Sequence, residues 1–275
     1  MAKILVVDDD RGTRHILQRL LSGDGYETAV AKDGVEALRA IERQAFDLVL
    51  LDVWMPRMNG LELLARLRTR TDKPRVVVMT SDDAPQTLLE TVRENAFRYV
   101  HKPVEAAVLL TTVRQVLAAP DIPPIEVISA RPDWIELVVP CTREAVDRIQ
   151  PVMAHLEANL APDVRDAIAY AFRELLLNAI EWGGRLDATR SVRIACLHTP
   201  RMRMYRIADP GPGFRIEDLP HAAIGQPADQ PIEHMRIREE KGLRPGGFGL
   251  VSVRASVDEL LYNEKRNEVV FIKYL

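Results

Sequence analysis

The chain has 275 residues, 47% of them hydrophobic and 28% charged, with 37 basic against 40 acidic side chains. At about 100–200 residues per domain that length predicts two domains, and the composition excludes a disordered chain, which needs low hydrophobicity and a large net charge. A net charge of −3 also disfavours a nucleic-acid binder that works through a broad basic face.

No apolar stretch approaches the ~20 residues of a membrane-spanning helix. The first such run, Ile4–Val7, stops at Asp8, too soon for the core of a secretory signal. Cys141 and Cys196 sit among apolar neighbours and read as small core residues, not as a disulfide framework or a zinc site. These features predict a cytoplasmic protein without a membrane partner.

The first half alternates strand and helix. Ile4–Val7 flows into Asp8-Asp9-Asp10, and Thr13–Leu21 carries apolar residues at helical spacing. Thr28–Ala31 is a weaker strand, Gly34–Ile41 a helix, and Asp47–Leu51 a dense apolar strand ending at Asp52. The helix Gly60–Leu67 follows, with Leu61, Leu64 and Leu67 on one face. Arg75–Met79 is strand-like and ends at Thr80-Ser81, and Pro85 suits the first turn of another helix. Phe97–Val100 runs into Lys102-Pro103, and Ala106–Leu117 closes the series. Continuous apolar strands alternating with helices predict an α/β, doubly wound, five-stranded parallel sheet covered on both faces.

In such a sheet, ligands sit beyond the carboxyl ends of the strands. Asp8 and Asp9 follow the first strand, Asp52 the third, Thr80 the fourth and Lys102 the fifth, so four segments deliver reactive side chains to one edge. Asp8–Asp10 alone would read as a solvated turn. Three converging carboxylates instead suit a hard cation such as Mg²⁺. A carboxylate beside a divalent ion and a lysine can act as a nucleophile toward a phosphoryl group.

Residues 1–118 resemble the receiver domain of bacterial two-component response regulators. The matching segments are Val6-Val7-Asp8-Asp9, Leu51-Asp52-Val53-Trp54-Met55-Pro56 with Gly60, Met79-Thr80-Ser81 and Tyr99-Val100-His101-Lys102-Pro103. The resemblance implies that Asp52 accepts a phosphoryl group from an upstream histidine kinase. It implies that Asp9, Asp52 and the backbone carbonyl of Trp54 bind Mg²⁺, with Asp8 assisting through water. Lys102 would contact the phosphoryl group, Thr80 would move toward it, and Tyr99 would rotate into the space that Thr80 leaves.

Ala119-Pro120-Asp121-Ile122-Pro123-Pro124 ends the last helix of this half and forms a stiff linker over residues 119–124. No basic recognition helix follows it, which disfavours DNA binding as the output.

Residues 125–275 read differently. Glu126–Ser129 and Trp134–Val139 alternate as strands, and Thr142 caps a helix predicted to reach about Leu160. Asp163 is the expected cap of a second helix, which runs through Glu174 to Trp182 and stops at Gly183-Gly184. Ser191–Leu197 and Met202–Ala208 form a strand pair, Gly249–Ser256 a short helix, and Leu260–Tyr262 and Val269–Tyr274 the last strands. Segregated helices and antiparallel strands predict an α+β two-layer sandwich.

Three clusters here carry chemistry. Glu174 and Asn178 are four residues apart on one helix face, able to activate a hydroxyl and hold a cation. Alone they would be an ordinary polar stripe. Asp209-Pro210-Gly211-Pro212-Gly213-Phe214 follows a strand and offers a carboxylate beside glycines that permit close backbone approach. Gly246-Gly247-Phe248-Gly249-Leu250 is a glycine-rich lead into a helix, suited to cradling phosphate.

In this order the three clusters resemble the GHKL-type ATP-binding fold of histidine kinases and anti-sigma-factor serine kinases. The resemblance implies ATP as ligand, Asn178 on its Mg²⁺ and Asp209 on the adenine amino group. It also implies Gly211, Gly213, Gly247 and Gly249 in the two glycine boxes, and residues 215–245 as a lid over the phosphates. Arg236, Arg238, Lys241 and Arg244 are candidate phosphate contacts within that lid, although any single one reads first as part of a solvated charged loop.

His155 lies too close ahead of Asn178 for the phospho-accepting helices of a histidine kinase. The anti-sigma-factor serine kinases are the nearer likeness, with Trp182 a departure where that family often has histidine. That resemblance makes Glu174 the base that deprotonates a serine of an anti-sigma-factor antagonist. The expected function is a receiver-controlled serine/threonine kinase acting in partner switching. The alternative is a non-catalytic, ATP-gated module that sequesters a sigma factor or similar protein. A homodimer is compatible with both resemblances.

Overall fold

The computed structural model describes residues 1–70, 72–82, 84–215 and 248–275. The chain divides into two compact units, Met1–Asp121 and Ile122–Leu275.

The first unit alternates β1 (Lys3–Val7), α1 (Arg11–Gly23), β2 (Glu27–Ala31), α2 (Gly34–Arg43), β3 (Leu48–Asp52), α3 (Gly60–Arg68), β4 (Arg75–Thr80), α4 (Pro85–Arg93), β5 (Arg98–His101) and α5 (Ala106–Ala118). The strands are all parallel, in the order β2-β1-β3-β4-β5, as the unbroken apolar runs predict. All five residues of β3 are buried, which a strand permits only when helices cover both of its faces. Ile4, Val6, Leu48, Leu50, Val77 and Met79 pack with Leu17 and Leu21 of α1 and Leu109, Val113 and Val116 of α5. The alternate strand residues, such as Leu5, Val49 and Val78, are equally buried.

Caps fix where the helices begin. The Asp10 carboxylate accepts from the Thr13 amide (2.6 Å), and Asn59 and Glu62 form a reciprocal capping box on α3. The chain order reverses direction on either side of β1, so a crevice opens at the carboxyl ends of β1 and β3. Asp8 and Asp52 stand there.

The second unit is an antiparallel sheet with helices. Its elements are β6 (Glu126–Ala130), β7 (Trp134–Pro140), α6 (Arg143–Leu156), α7 (Pro162–Asn178), a π-helical segment (Ala179–Gly183), β8 (Ser191–His198), β9 (Met202–Ala208), α8 (Gly249–Ser256), β10 (Glu259–Tyr262) and β11 (Glu268–Tyr274). The sheet order is β10-β11-β9-β8-β7-β6. Alternate residues Ile135, Leu137, Ile194, Tyr205, Ile207 and Phe271 are buried together with Ile149, Phe172 and Leu176 of the helices. Tyr205 stacks on Phe271 with ring centroids 4.9 Å apart. Both cysteines are free and buried, and burial pushes the Cys141 thiol up to about 11, which keeps it protonated.

Three expected boundaries are corrected here. The first helix of this unit ends at Leu156 instead of reaching Leu160, because Glu157 turns inward and closes short bonds back to the last turn. The second helix starts with Pro162 in its first turn after Ala161, and Asp163 is an acidic first-turn residue instead of the cap. Its α-helical part stops at Asn178, and wider bonds such as Gly184 N–H to Ala179 C=O (2.8 Å) take over through Gly183. Among the described residues no helix is long and apolar enough to cross a membrane.

Candidate functional site

At the carboxyl edge of the first sheet, ligand atoms of Asp8, Asp9 and Asp52 all lie within 4.8 Å of one another. Asp8 is 1% exposed and Asp52 8%, whereas Asp9 is open to solvent. Lys102, just past β5, places Nζ 2.7 Å from Asp8 Oδ2 and 3.1 Å from Asp52 Oδ1. Asp52 Oδ1 also accepts from the Val53 amide (2.9 Å), and Asp8 Oδ1 from the Asp10 amide (2.9 Å).

Burial raises the carboxyl of Asp52 above its ordinary value, and the Lys102 ammonium opposes that rise. Burial alone would lower Lys102, but its hydrogen bond to Asp8 and the charges of Asp52 and Asp8 hold it above its ordinary value. A cluster of carboxylate oxygens, part buried and part solvent-facing, fits a small hard cation such as Mg²⁺.

The backbone around Asp52 leaves no spare room. The Gly60 amide donates to Val53 C=O (2.8 Å), and a Cβ on Gly60 would lie 2.2 Å from the Asp52 carbonyl oxygen. A glycine at the first position of α3 is therefore a condition for placing Asp52. Thr80 is fully buried at the end of β4, and its Oγ1 accepts from the Asp82 amide (3.0 Å). Tyr99 is buried on the neighbouring strand β5. Trp54 is 55% exposed, and its indole donates to Asp82 Oδ2 (3.1 Å), which also accepts from Thr87 Oγ1 (2.7 Å). Asp82 thus ties the segment after β3 to the segment after β4. Sequence reading missed it, since a lone acidic loop residue carries no signal of its partner.

In the second unit, α7 and its π-helical extension gather the chemistry-bearing clusters. Glu174 and Asn178 are half-buried, one turn apart on α7. A Cβ on Gly249, the first residue of α8, would lie 2.4 Å from Glu174 Oε2, so the glycine backbone abuts that carboxylate. At the other end, a Cβ on Gly183 would lie 2.1 Å from Asp209 Oδ1. Gly211 donates its amide to the same Oδ1 (2.7 Å). Burial raises the Asp209 carboxyl, opposed by the Gly211 amide.

Gly213 has φ +85° and its Cβ would meet the Lys265 carbonyl at 1.7 Å, so no other residue fits that turn. The Asn267 side chain donates to Gly211 C=O (3.2 Å), and Asn267 C=O accepts from the Asp209 amide (2.8 Å). The backbone is thus held close around the Asp209 carboxylate. The sequence alone does not connect Gly183 or Asn267 with this carboxylate. Gly183 reads from sequence as a helix stop, and Asn267 comes from a distant hairpin. Gly246, Gly247, Arg236, Arg238, Lys241, Arg244 and the lid beyond Arg215 lie outside the described residues.

Comparison with known proteins assigns both halves. Residues 4–114 match the family model of the response regulator receiver domain, and residues 139–273 that of the histidine kinase-like ATPase domain. The DNA-binding response regulator MtrA of Mycobacterium tuberculosis is 32% identical over 209 residues, spanning 76% of this chain and 89% of that protein. The response regulator MprA of Mycobacterium leprae is 40% identical over 115 residues, 42% of this chain and 50% of that protein. The solved structure of the chemotaxis protein CheY4 of Vibrio cholerae is 32% identical, covers 42% of this chain and 98% of its own, and has a TM-score of 0.41.

Proposed function

The chain belongs to the response regulators, and from that premise we propose that it is a phosphorylation-controlled, ATP-dependent serine/threonine protein kinase that acts in partner switching. The observation that carries the reading is the convergence of Asp8, Asp9, Asp52 and Lys102 at one sheet edge of a chain whose other half is an ATPase domain.

In the first unit, an oxygen of Asp52 attacks the phosphorus of a phosphohistidine on an upstream histidine kinase. The P–O bond forms as the P–N bond breaks, and the released imidazole regains its proton from solvent. Lys102 neutralises charge on the transferring group and orients Asp52 through the contact they already make. Asp9, Asp52 and the Trp54 carbonyl would hold Mg²⁺, with Asp8 beside it, and that ion would offset the charge of the incoming phosphoryl group. Thr80 would exchange the Asp82 amide for a phosphoryl oxygen, and Tyr99 would follow.

In the second unit, Asp209 would accept a hydrogen bond from the adenine amino group and Asn178 would hold the cation of ATP. Gly211, Gly213, Gly247 and Gly249 would let the backbone close on the nucleotide. Glu174 would take the proton from a serine hydroxyl of an anti-sigma-factor antagonist as that oxygen attacks the γ-phosphorus. Residues 1–118 form the receiver in this reading, 119–124 the linker and 125–275 the kinase. The DNA binding in the name of the mycobacterial relative is not extended to this chain, since residues 139–273 match the ATPase model.

The test is incubation with γ-labelled ATP and candidate antagonist proteins, using wild type and Glu174→Ala. Label on a serine that disappears in the variant supports the kinase. Tight ATP-dependent partner binding without transfer overturns it in favour of a sequestering module.

A further inference from the structure

A fourth carboxylate, Asp33, follows β2 at the same sheet edge as Asp8 and Asp52. It is 1% exposed, and a carboxylate at that depth needs a partner for each oxygen. Oδ1 accepts from the Glu36 amide (2.9 Å) and so caps α2. Oδ2 is enclosed and directly faces Nη2 of Arg57.

Arg57 lies in the segment between β3 and α3 and has φ +68°, a left-handed conformation that a residue bearing a Cβ adopts only under outside constraint. The next residue strengthens the junction. Met58 C=O accepts from the Gly34 amide (3.0 Å), and a Cβ on Gly34 would lie 2.6 Å from Met58 Cγ. A charge pair and a backbone bond therefore join the turn after β2 to the segment that follows Asp52.

We propose that Arg57 is a positioning residue for cation binding at Asp52. Its ion pair with Asp33 holds the segment 53–59 that follows Asp52, which carries the Trp54 carbonyl assigned to the cation under Proposed function. The inference rests on the reading of Asp52 as a Mg²⁺-dependent phosphoryl acceptor.

Two physical effects act together. A carbonyl is an uncharged ligand on a loop, so its contribution depends on where the backbone holds it. The Gly60 amide pins Val53 at one end (2.8 Å) and the Arg57–Asp33 pair fixes the middle. The same pair neutralises Asp33, which removes a competing carboxylate from the edge where the cation binds. Outer partners that orient metal ligands are worth about 10–100-fold in metal affinity.

The experiment is calorimetric titration of the full chain with MgCl₂, alongside its melting temperature. Arg57→Gly keeps a residue suited to positive φ but removes the cation, and Arg57→Lys keeps the cation. Asp33→Asn keeps a good helix cap and removes the charge. Arg57→Gly and Asp33→Asn are expected to weaken Mg²⁺ binding about 10-fold or more, with the double variant no weaker than either alone. Arg57→Lys should recover most of that loss. Mg²⁺ affinity within about twofold of wild type in both single variants overturns the inference, whatever their melting temperatures, and reduces the pair to a structural contact. Failure of the wild-type chain to bind Mg²⁺ overturns this inference and the reading of Asp52 together.

Discussion

Nζ of Lys102 stands 3.1 Å from Oδ1 of Asp52, a carboxylate that is nearly buried. Burial raises the Asp52 carboxyl, so its ionised form is less stable in the folded chain than in the unfolded one. The site keeps a reactive charge in place at a cost in stability, and Lys102 offsets part of that cost.

Replacing Lys102 with alanine should raise the Asp52 carboxyl further and slow its phosphorylation by a small acyl phosphate about 10²-fold, the loss typical of one missing charge-stabilising donor. Asp52→Asn should have the opposite effect on stability. Because the folded value is raised, the acid's stabilising contribution is present below its ordinary value and lost as pH climbs through the folded one. Thermal unfolding at neutral pH should therefore show Asp52→Asn melting above wild type. A lower melting temperature would contradict the assignment of Asp52 as a desolvated charge.

Gly183 against Asp209 yields a prediction about the nucleotide. A methyl group on Gly183 would lie 2.1 Å from the carboxylate and must push it aside. If Asp209 holds the nucleotide, Gly183→Ala should weaken ATP binding about as much as Asp209→Ala does, on the order of 10-fold or more for loss of a hydrogen bond to a half-buried charged group. Equilibrium binding of ATP checks this, and the double variant should lose little more than either single one.

Glu157 predicts the acid behaviour of the second unit. It is 2% exposed and meets Tyr205 Oη, Arg203 Nε (2.8 Å) and His198 Nε2 (3.1 Å). Burial acts to raise its carboxyl, but the His198, Tyr205 and Arg203 contacts outweigh it and hold the group below its ordinary value of 4.5. Its stabilising contribution is therefore full above 4.5 and lost as pH falls through the lower folded value. Acid unfolding monitored by circular dichroism should lose that component in Glu157→Gln. Glu157→Ala should cost ~3 kcal/mol at neutral pH, because it leaves the part-buried Arg203 guanidinium and the buried Tyr205 hydroxyl without their acceptor.

Much of the first unit is legible in the sequence because most of its strands are short apolar runs punctuated by polar residues at their carboxyl ends. Asp8, Asp52, Thr80 and Lys102 announce themselves by following such runs. Asp33, Arg57 and Asp82 do not, since each gains meaning only from a partner on another loop. In the second unit the apolar spacing of α7 continues unbroken past Asn178. It cannot show that the bonding widens to a π-helical pattern and carries Gly183 onto Asp209. Local propensity favours Glu157 as part of a longer helix. Its partners His198 on β8 and Arg203 and Tyr205 on β9 override that propensity.

One titration tests whether phosphorylation of Asp52 controls the second unit. ATP affinity and γ-phosphoryl transfer to serine should be measured with Asp52 phosphorylated and unphosphorylated, with Asp52→Asn as the control. A change of about fivefold or more in one of these quantities is expected on phosphorylation, absent in the variant. Identical affinity and identical transfer in both states would contradict it.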